Sequence, residues 1–250
     1  MLRTVRLVLF DIDGTLITDG GAARAAYGAA LETVYGYRGD LQRYDFSGRT
    51  DPQITHMVLH DFGLSAEEID ASMDTLWSIY LEHLEANAPG RVRALPGVVA
   101  LLDALAADAH VTLALLTGNI EPGARIKLGA VSFRAERGIP NGRGCLAPLD
   151  MTLNRYFPFG AFGSDSPRRE ELPPIAVARA AAATGIDFAA RDVVIVGDSI
   201  YDVRCGVPHD ATTIAIASGK TAAELLRAEN PHHLFESAEE TEALLAAIVG

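Results

Sequence analysis

Three short apolar runs, each followed at once by polar residues, constrain the fold of this chain more than any other feature. Residues 5–10, 111–116 and 193–196 are rich in valine, leucine and isoleucine. Runs of this length and composition predict strands that are buried on both faces, as in a parallel sheet. Because parallel strands end at a common edge of their sheet, the polar residues that follow the three runs are expected to meet there.

The first run leads directly into Asp11-Ile12-Asp13-Gly14-Thr15. Two carboxylates two residues apart can ligate a divalent cation through oxygen, and the glycine permits a sharp turn. One carboxylate can attack an electrophile while the other transfers protons. A solvated turn with an incidental pair of acids is the alternative reading of such a sequence.

The other two runs end in similar chemistry. Thr117-Gly118-Asn119 follows the second run, and the third leads into Gly197-Asp198, with Asp202 four residues further on. Thr117 and neighbouring backbone N–H groups, including that of Gly118, are candidates to hold phosphate oxygens. Four acids at one sheet edge would repel one another without a cation, and ligation by oxygen alone beside a phosphate favours Mg²⁺ over zinc.

These motifs resemble those of a known family. DIDGT, LLTGN and GDSIYD look like the first, second and fourth signature motifs of the haloacid dehalogenase superfamily of phosphohydrolases, in the same order and with similar spacing over nearly the whole chain. An acid at position 13, two places after the first aspartate, is typical of the superfamily's phosphatases and phosphomutases. It is not typical of the dehalogenase and phosphonatase branches.

The resemblance implies roles for individual residues. Asp11 resembles the nucleophile that forms an aspartyl-phosphate, and Asp13 resembles the acid that protonates the leaving group and then activates water. Thr117 resembles the hydroxyl that binds the transferred phosphoryl group, with Asn119 as a weaker candidate beside it. Asp11, the backbone carbonyl of Asp13 and Asp198 resemble the Mg²⁺ ligands, and Asp202 resembles a ligand that acts through water.

The third motif of that family departs from its usual form in this chain. The family normally supplies a lysine there, whereas this chain reads Ser166-Pro167-Arg168-Arg169-Glu170-Glu171. Arg169, or as a second choice Arg168, is expected to neutralise the nucleophile and the phosphate, because a guanidinium stays charged and binds phosphate in a bidentate manner. A solvated pair of arginines ahead of a helix is the alternative.

A second departure is the run from about residue 129 to 154, which reads as an insertion or a long loop. Its arginines make it locally basic, and solvent exposure explains them as well as contact with an anionic substrate does. The segment 155–162, Arg-Tyr-Phe-Pro-Phe-Gly-Ala-Phe, is expected to return to the core and to a strand.

About one hundred residues separate the first two motifs, far more than a crossover between parallel strands needs. Apolar spacing predicts helices over 22–35, 51–62 and 66–86. The predicted fold is therefore α/β, a Rossmann-like parallel sheet flanked by helices, with a small all-helical cap inserted after the first strand. The expected division is a core of residues 1–16 and 93–250 and a cap of residues 17–92.

A cap that closes over the site would exclude water and select the substrate. Ser47-Gly48-Arg49-Thr50 is the candidate recognition loop. Arg49 is expected to pair with a substrate carboxylate or a second anionic group, as in phosphoglycolate-phosphatase-like enzymes. A surface salt bridge is an equally good explanation of this arginine.

The formal net charge of −12 argues against a nucleic-acid surface, because phosphate backbones require basic patches. No apolar stretch approaches the length of a membrane span. With only two cysteines, the chain is expected in the cytoplasm, as a monomer or homodimer that binds no nucleic acid and no membrane and acts on a small phosphorylated metabolite.

Three functions are compatible with the sequence. The leading prediction is a Mg²⁺-dependent phosphatase that hydrolyses a small phosphorylated metabolite, phosphoglycolate-like or a sugar phosphate, through an aspartyl-phosphate. A phosphomutase of the β-phosphoglucomutase type would return the phosphoryl group to a sugar rather than to water. The unusual third motif also leaves open a binding protein of the same fold that has lost turnover.

Overall fold

The computed structural model describes residues 4–131 and 152–250. Its strands are β1 (Arg6–Phe10), β2 (Ile17–Thr18), β3 (Arg93–Ala94), β4 (Val111–Leu116), β5 (Gly160–Ala161), β6 (Val193–Gly197), β7 (Thr212–Ile216) and β8 (His233–Phe235). Its α-helices are α1 (Ala22–Tyr35), α2 (Asp51–Asp61), α3 (Ala66–Asp70), α4 (Met73–Asn87), α5 (Val98–Ala106), α6 (Glu121–Ala130), α7 (Leu172–Thr184), α8 (Ile200–Gly206), α9 (Ala223–Ala228) and α10 (Thr241–Val249).

The main sheet has six parallel strands in the order β5-β4-β1-β6-β7-β8. From β1 the chain builds outwards to β4 and β5 on one side, and then to β6, β7 and β8 on the other. A ligand crevice forms beside such a reversal of strand order, outside the carboxyl ends of the strands. Phe10, the last residue of β1, is in register with Leu115 of β4 and Val196 of β6, so the three predicted motifs leave the sheet at one edge.

Alternate residues of β1 serve different faces of the sheet. Val8 and Phe10 pack with α5 and α10, while Leu7 and Leu9 pack on the other face with α7. All four side chains are fully buried, because helices cover both faces. The sequence-based prediction of a Rossmann-like α/β sheet flanked by helices is confirmed.

Four helices, α1 to α4, lie between β2 and β3. These two short strands pair antiparallel, with Ile17 opposite Ala94 and Thr18 opposite Arg93. The chain therefore leaves the sheet region and returns to it at adjacent positions. Inside the helical segment α1 packs along α4, and Tyr27 contacts both Phe46 and Tyr80 edge to face.

The predicted single helix over 66–86 is wrong, because it is two helices, α3 and α4. Ser72 between them has the non-helical dihedral angles φ −120° and ψ 11°. The carbonyl of Ile69 accepts hydrogen bonds from Tyr35 Oη at 2.6 Å and from Ser72 N at 3.3 Å, and is thereby diverted from a regular helical bond. The donor to this carbonyl, Tyr35, belongs to α1, and the local periodicity of residues 66–86 does not reveal such a contact. The other two predicted helices match α1 and, within one residue, α2.

The predicted insertion over 129–154 falls largely on residues 132–151, which lie outside the described residues. Beyond it the chain does return to the core as expected. Phe157 and Phe162 are buried, and β5 between them pairs with the end of β4.

Within the described ranges, no helix has both the length and the apolar character required to cross a bilayer.

Candidate active site

The predicted motif residues meet at the carboxyl edge of the sheet. Asp11 and Asp13 follow β1, Thr117 follows β4, and Asp198 follows β6. Asp11, Thr117 and Asp198 are buried, and the side chain of Asp13 is 39% exposed. All four line one cavity of about 500 Å³.

The turn after β1 depends on glycine. Gly14 has φ +90°, and a Cβ atom placed on it would lie 2.4 Å from Oδ2 of Asp198. The next residue fixes that same acid, because Thr15 Oγ1 donates to Asp198 Oδ1 at 3.1 Å. A Cβ on Gly219, across the site, would lie 1.7 Å from Asp198 Oδ2. The backbone thus closes around Asp198 from two sides.

Asp11, Asp198 and Asp202 form a buried cluster in which one carboxylate oxygen from each lies within 4.8 Å of the others. Burial raises the pKa of Asp11 to about 7, with the charge of Asp202 adding to the effect and Arg169 opposing it. Burial, and then the charge of Asp11, raises the pKa of Asp198 well above its ordinary value. Both shifts show that negative charge is costly in this cluster.

Arg169 supplies positive charge to the cluster. It is buried, and its Nη2 donates to Asp11 Oδ1 at 2.9 Å and to Asp202 Oδ1. Burial by itself would lower the pKa of Arg169, but the charges of Asp202 and Asp11 raise it overall. When all three carboxylates are ionised, the one guanidinium leaves two negative charges uncompensated.

The free oxygens of the cluster fit a divalent cation. Asp11 Oδ2 and Asp198 Oδ2 accept no hydrogen bond from the residues that the structure describes, whereas both oxygens of Asp202 are taken, by Arg169 and by Ser199. Hard oxygen ligands and a residual charge of two suit such an ion. Asp11 and Asp198 are therefore the acids best placed to ligate it.

Lys127 belongs to this site and was not among the predicted site residues. Its Nζ lies 2.6 Å from Asp13 Oδ2 and 2.6 Å from Asn119 Oδ1, and the side chain is buried. Burial would lower its pKa, but Asp13 together with Tyr80 and Asp51 outweighs that effect and the pKa is raised. The available signal was its position on α6, since Lys127 shares the buried face with Ala124 and Leu128. A lysine on an apolar face requires a buried partner.

The three residues predicted to contact substrate, Asn119, Gly118 and Arg49, each have contacts within the protein. Asn119 Nδ2 donates to Asp13 Oδ2 at 2.7 Å and to Thr117 Oγ1 at 2.8 Å. A Cβ on Gly118 would lie 2.0 Å from the carbonyl oxygen of Arg49, so glycine is needed there for packing. Arg49 lines the cavity, with Nη2 3.2 Å from Tyr201 Oη and Nε 3.2 Å from the carbonyl of Asp45.

Asp51, the first residue of α2, joins the helical segment to the sheet edge. Its N–H donates to the carbonyl of Gly118 at 2.7 Å, and its Oδ2 accepts from Ile120 N at 2.8 Å. Thr50 Oγ1 donates to the carbonyl of Pro167 at 2.7 Å, two residues before Arg169. Burial raises the pKa of Asp51 to about 6. Thr50 belongs to the predicted recognition loop, whereas Asp51 was not among the predicted site residues.

The strand order and the acids at the sheet edge define an α/β protein with a buried cluster of carboxylates at the carboxyl ends of its strands. A model of the haloacid dehalogenase-like hydrolase family matches residues 8–206, and a second, HAD-hydrolase-like model matches residues 172–241. The chain therefore belongs to the haloacid dehalogenase-like hydrolase family.

Individual relatives extend this similarity over the whole chain. A phosphoglycolate phosphatase from Agrobacterium fabrum is 26% identical over 97% of this chain and 94% of its own. The crystal structure of a hydrolase from Pseudomonas syringae matches with a TM-score of 0.68 and 18% identity over 99% of this chain and 100% of its own. A predicted phosphoglycolate phosphatase from Haemophilus somnus 129pt matches with a TM-score of 0.67 and 17% identity over 98% and 100%. At these identities the two structures show the shared fold.

Proposed function

We propose that this protein is a Mg²⁺-dependent phosphatase that hydrolyses a small phosphorylated metabolite through an aspartyl-phosphate on Asp11. The observation that carries the proposal is the separate pairing of two acids in one cavity. Asp11 is held by Arg169, and Asp13, two residues later, is held by Lys127. A nucleophile and a proton-transfer group need such different surroundings if they are to act in one reaction.

In the proposed first step, a carboxylate oxygen of Asp11 attacks phosphorus, and the bond between phosphorus and the ester oxygen breaks. Asp13 gives its proton to the departing oxygen. In the second step Asp13 takes a proton from water, the water oxygen attacks phosphorus, and phosphate leaves with Asp11 restored. Arg169 and Thr117 bind the oxygens of the transferred group.

Asp11, the backbone carbonyl of Asp13 and Asp198 would hold the Mg²⁺, with Asp202 acting through water. The bound ion would offset the repulsion between the Asp11 carboxylate and the substrate's phosphate. Two uncompensated negative charges among four buried groups support a divalent ion. The preference for Mg²⁺ rests on the all-oxygen donor set.

We further propose that residues 17–92 form a cap over a core of residues 1–16 and 93–250. Arg24, Tyr27 and Arg49 of the helical segment line the same cavity as Asp11 and Asp13. A cavity of about 500 Å³ is within the size range of small-molecule sites. Arg49 is the candidate for a substrate carboxylate, and the phosphoglycolate phosphatase relative makes phosphoglycolate the first ester to test. Cellular location and a monomeric or homodimeric state stay predictions.

The test is phosphate release from phosphoglycolate and a panel of sugar phosphates, with Mg²⁺ or with a chelator. We expect Mg²⁺-dependent release that Asp11→Asn abolishes. Asp187→Asn is the matched control, because it makes the same substitution at an exposed residue outside the cavity. Isomerised sugar phosphate without phosphate release would indicate a phosphomutase. Ligand-induced stabilisation without either product would indicate a binding protein.

A further inference from the structure

Lys127 is unusual in the amino-acid composition of the chain as well as in its structural surroundings. The chain contains 21 lysine and arginine residues, and its sequence shows that lysines stand at only two positions, 127 and 220. Both line the cavity of the candidate active site. Both lysines thus lie in the site, where they join arginines such as Arg49 and Arg169. An ammonium group differs from a guanidinium in being a compact point charge.

The contacts of Lys127 form a closed network around one oxygen of Asp13. Asp13 Oδ2 accepts from Lys127 Nζ at 2.6 Å and from Asn119 Nδ2 at 2.7 Å. Asn119 Oδ1 in turn accepts from Lys127 at 2.6 Å, and Thr117 Oγ1 accepts from Asn119 Nδ2 at 2.8 Å. Each member restrains another, so the Asp13 carboxylate has a fixed orientation.

The second oxygen of Asp13 has different surroundings. Within residues 4–131 and 152–250, Oδ1 accepts no hydrogen bond, and the side chain is 39% exposed towards the cavity. Lys127 also has little capacity left for substrate, since two of its three ammonium hydrogens serve Asp13 and Asn119 and only 4% of its side chain is exposed. Arg169 already pairs with Asp11.

We propose that Lys127, together with Asn119, is a positioning residue that holds Oδ2 of Asp13 and leaves Oδ1 as the oxygen that exchanges a proton with the leaving group. This inference rests on the proposed phosphatase function. It assigns Asn119 to positioning rather than to substrate binding. It also separates two cationic tasks, with Arg169 acting at the nucleophile and Lys127 at the proton-transfer group.

The proposal predicts a dependence on the leaving group. An alkoxide leaving group, as in phosphoglycolate, needs a proton as the ester bond breaks, whereas 4-nitrophenolate departs without one. A misplaced Asp13 should therefore slow cleavage of the alkyl ester far more than cleavage of the aryl ester. The quantity to compare is kcat/KM, which reports on transition-state stabilisation from free enzyme and substrate.

The experiment measures kcat/KM of wild type, Lys127→Met and Asn119→Ala with phosphoglycolate and with 4-nitrophenyl phosphate, in Mg²⁺. For Lys127→Met we expect a loss of about 10²- to 10³-fold for the alkyl ester and less than about tenfold for the aryl ester. Asn119→Ala should show the same selectivity with a smaller loss, which keeps the test decisive if Lys127→Met folds poorly by near-ultraviolet circular dichroism.

Lys220→Met is the matched comparison. It removes the same charge from the same cavity without contacting Asp13, so any difference between its losses for the two esters reports the extra carboxylate of phosphoglycolate alone, and Lys127→Met should exceed that difference. An equal loss in Lys127→Met, with weaker inhibition by orthophosphate, would assign Lys127 to phosphate binding and overturn the proposal. Unchanged kinetics in both network variants would also overturn it. If the wild type releases phosphate from neither ester, the proposed function itself fails, which is a distinct result.

Discussion

Two adjacent arginines, Arg168 and Arg169, have opposite environments. The side chain of Arg168 is 65% exposed and pairs with Glu171, whereas that of Arg169 is 5% exposed and pairs with Asp11 and Asp202. The difference arises because the short 3₁₀ turn Arg169–Glu171 directs Arg169 inwards ahead of α7. A difference of one position along the chain thus determines which arginine reaches the buried acids.

Replacement of Arg169 should affect both activity and stability. We expect Arg169→Met to lower kcat/KM by about 10²- to 10³-fold, because Asp11, the proposed nucleophile, loses its hydrogen-bond donor. The free energy of unfolding at neutral pH, measured in chelator, should fall by about 3 kcal/mol, because the buried acids lose the guanidinium that pairs with them. Phosphate-release kinetics and urea unfolding measure the two effects.

Arg168→Met is the control for that experiment, since the exposed pair with Glu171 contributes about 0.5 kcal/mol or less. Arg169→Lys should retain more activity than Arg169→Met, because it keeps the charge and loses only the planar head. Equal losses in Arg168→Met and Arg169→Met would contradict the assignment of Arg169 to the cluster.

Asp51 predicts a pH dependence of stability. Its pKa in the folded protein is about 6, above the ordinary value of 3.8. The folded state therefore keeps this proton to higher pH than the unfolded chain, and its contribution to stability falls as pH rises from about 4 to about 6. Above that range both states are ionised and the penalty is constant.

Asp51→Asn should remove this penalty while its amide oxygen still accepts from Ile120 N. In urea unfolding with chelator, the free energy of unfolding of the variant should rise relative to that of the wild type between about pH 4 and pH 6. The gain should be on the order of 1 kcal/mol, since the residue is only partly buried. The exposed substitution Asp187→Asn should run parallel to the wild type. A parallel profile for Asp51→Asn as well would show that the raised pKa has no effect on folding.

At the scale of elements, three segments pack without space for a side chain. A Cβ on Gly163 would lie 2.0 Å from the carbonyl oxygen of Gly118, and one on Gly118 would lie 2.0 Å from that of Arg49. The loop before α2, the turn after β4 and the turn after β5 therefore stack backbone on backbone. This stacking sets the position of α2 relative to the site.

Gly118→Ala should consequently be strongly destabilising. We expect a loss of more than about 2 kcal/mol in the free energy of unfolding, because the atoms to be displaced are backbone atoms. Gly28→Ala, within α1, is the matched control. Its nearest neighbour is the flexible end of Leu41 at 3.4 Å, so the higher helix propensity of alanine should stabilise by up to about 1 kcal/mol. A neutral Gly118→Ala would mean that the loop and turn can separate at little cost.

The predictability of each element depended on whether its cause was local. Strands β1, β4 and β6 followed from continuous apolar runs, and the sheet edge followed from their parallel order. The break between α3 and α4 coincides with a hydrogen bond from Tyr35, in another helix, to the carbonyl of Ile69. The pairing of Lys127 with Asp13 joins residues 114 positions apart, which no local pattern reports. Sequence periodicity therefore does not predict which distant residues pair to form the buried charge network of the site.

At the scale of the whole molecule, the uncompensated charge in the site predicts stabilisation by a divalent cation. Mg²⁺ at about one hundred times its Kd should add about 2.7 kcal/mol to the free energy of unfolding. Asp198→Asn should lose most of this gain, and Asp187→Asn should keep it. The measurement is thermal unfolding with Mg²⁺ against NaCl at equal ionic strength. The same gain with NaCl would identify simple screening of the formal charge of −12.

The β2–β3 pair has a consequence for how proteins of this architecture diversify. Thr18 and Arg93 are direct partners across that pair, so the helical segment between them begins and ends at adjacent positions. A tight turn would reconnect the two strands if the helices were deleted, and a different set of helices would fit the same two attachment points. The acids at the sheet edge lie outside residues 18–93, whereas Arg24, Tyr27 and Arg49 of the cavity wall lie within them. The two groups of side chains are therefore encoded in separate stretches of the gene.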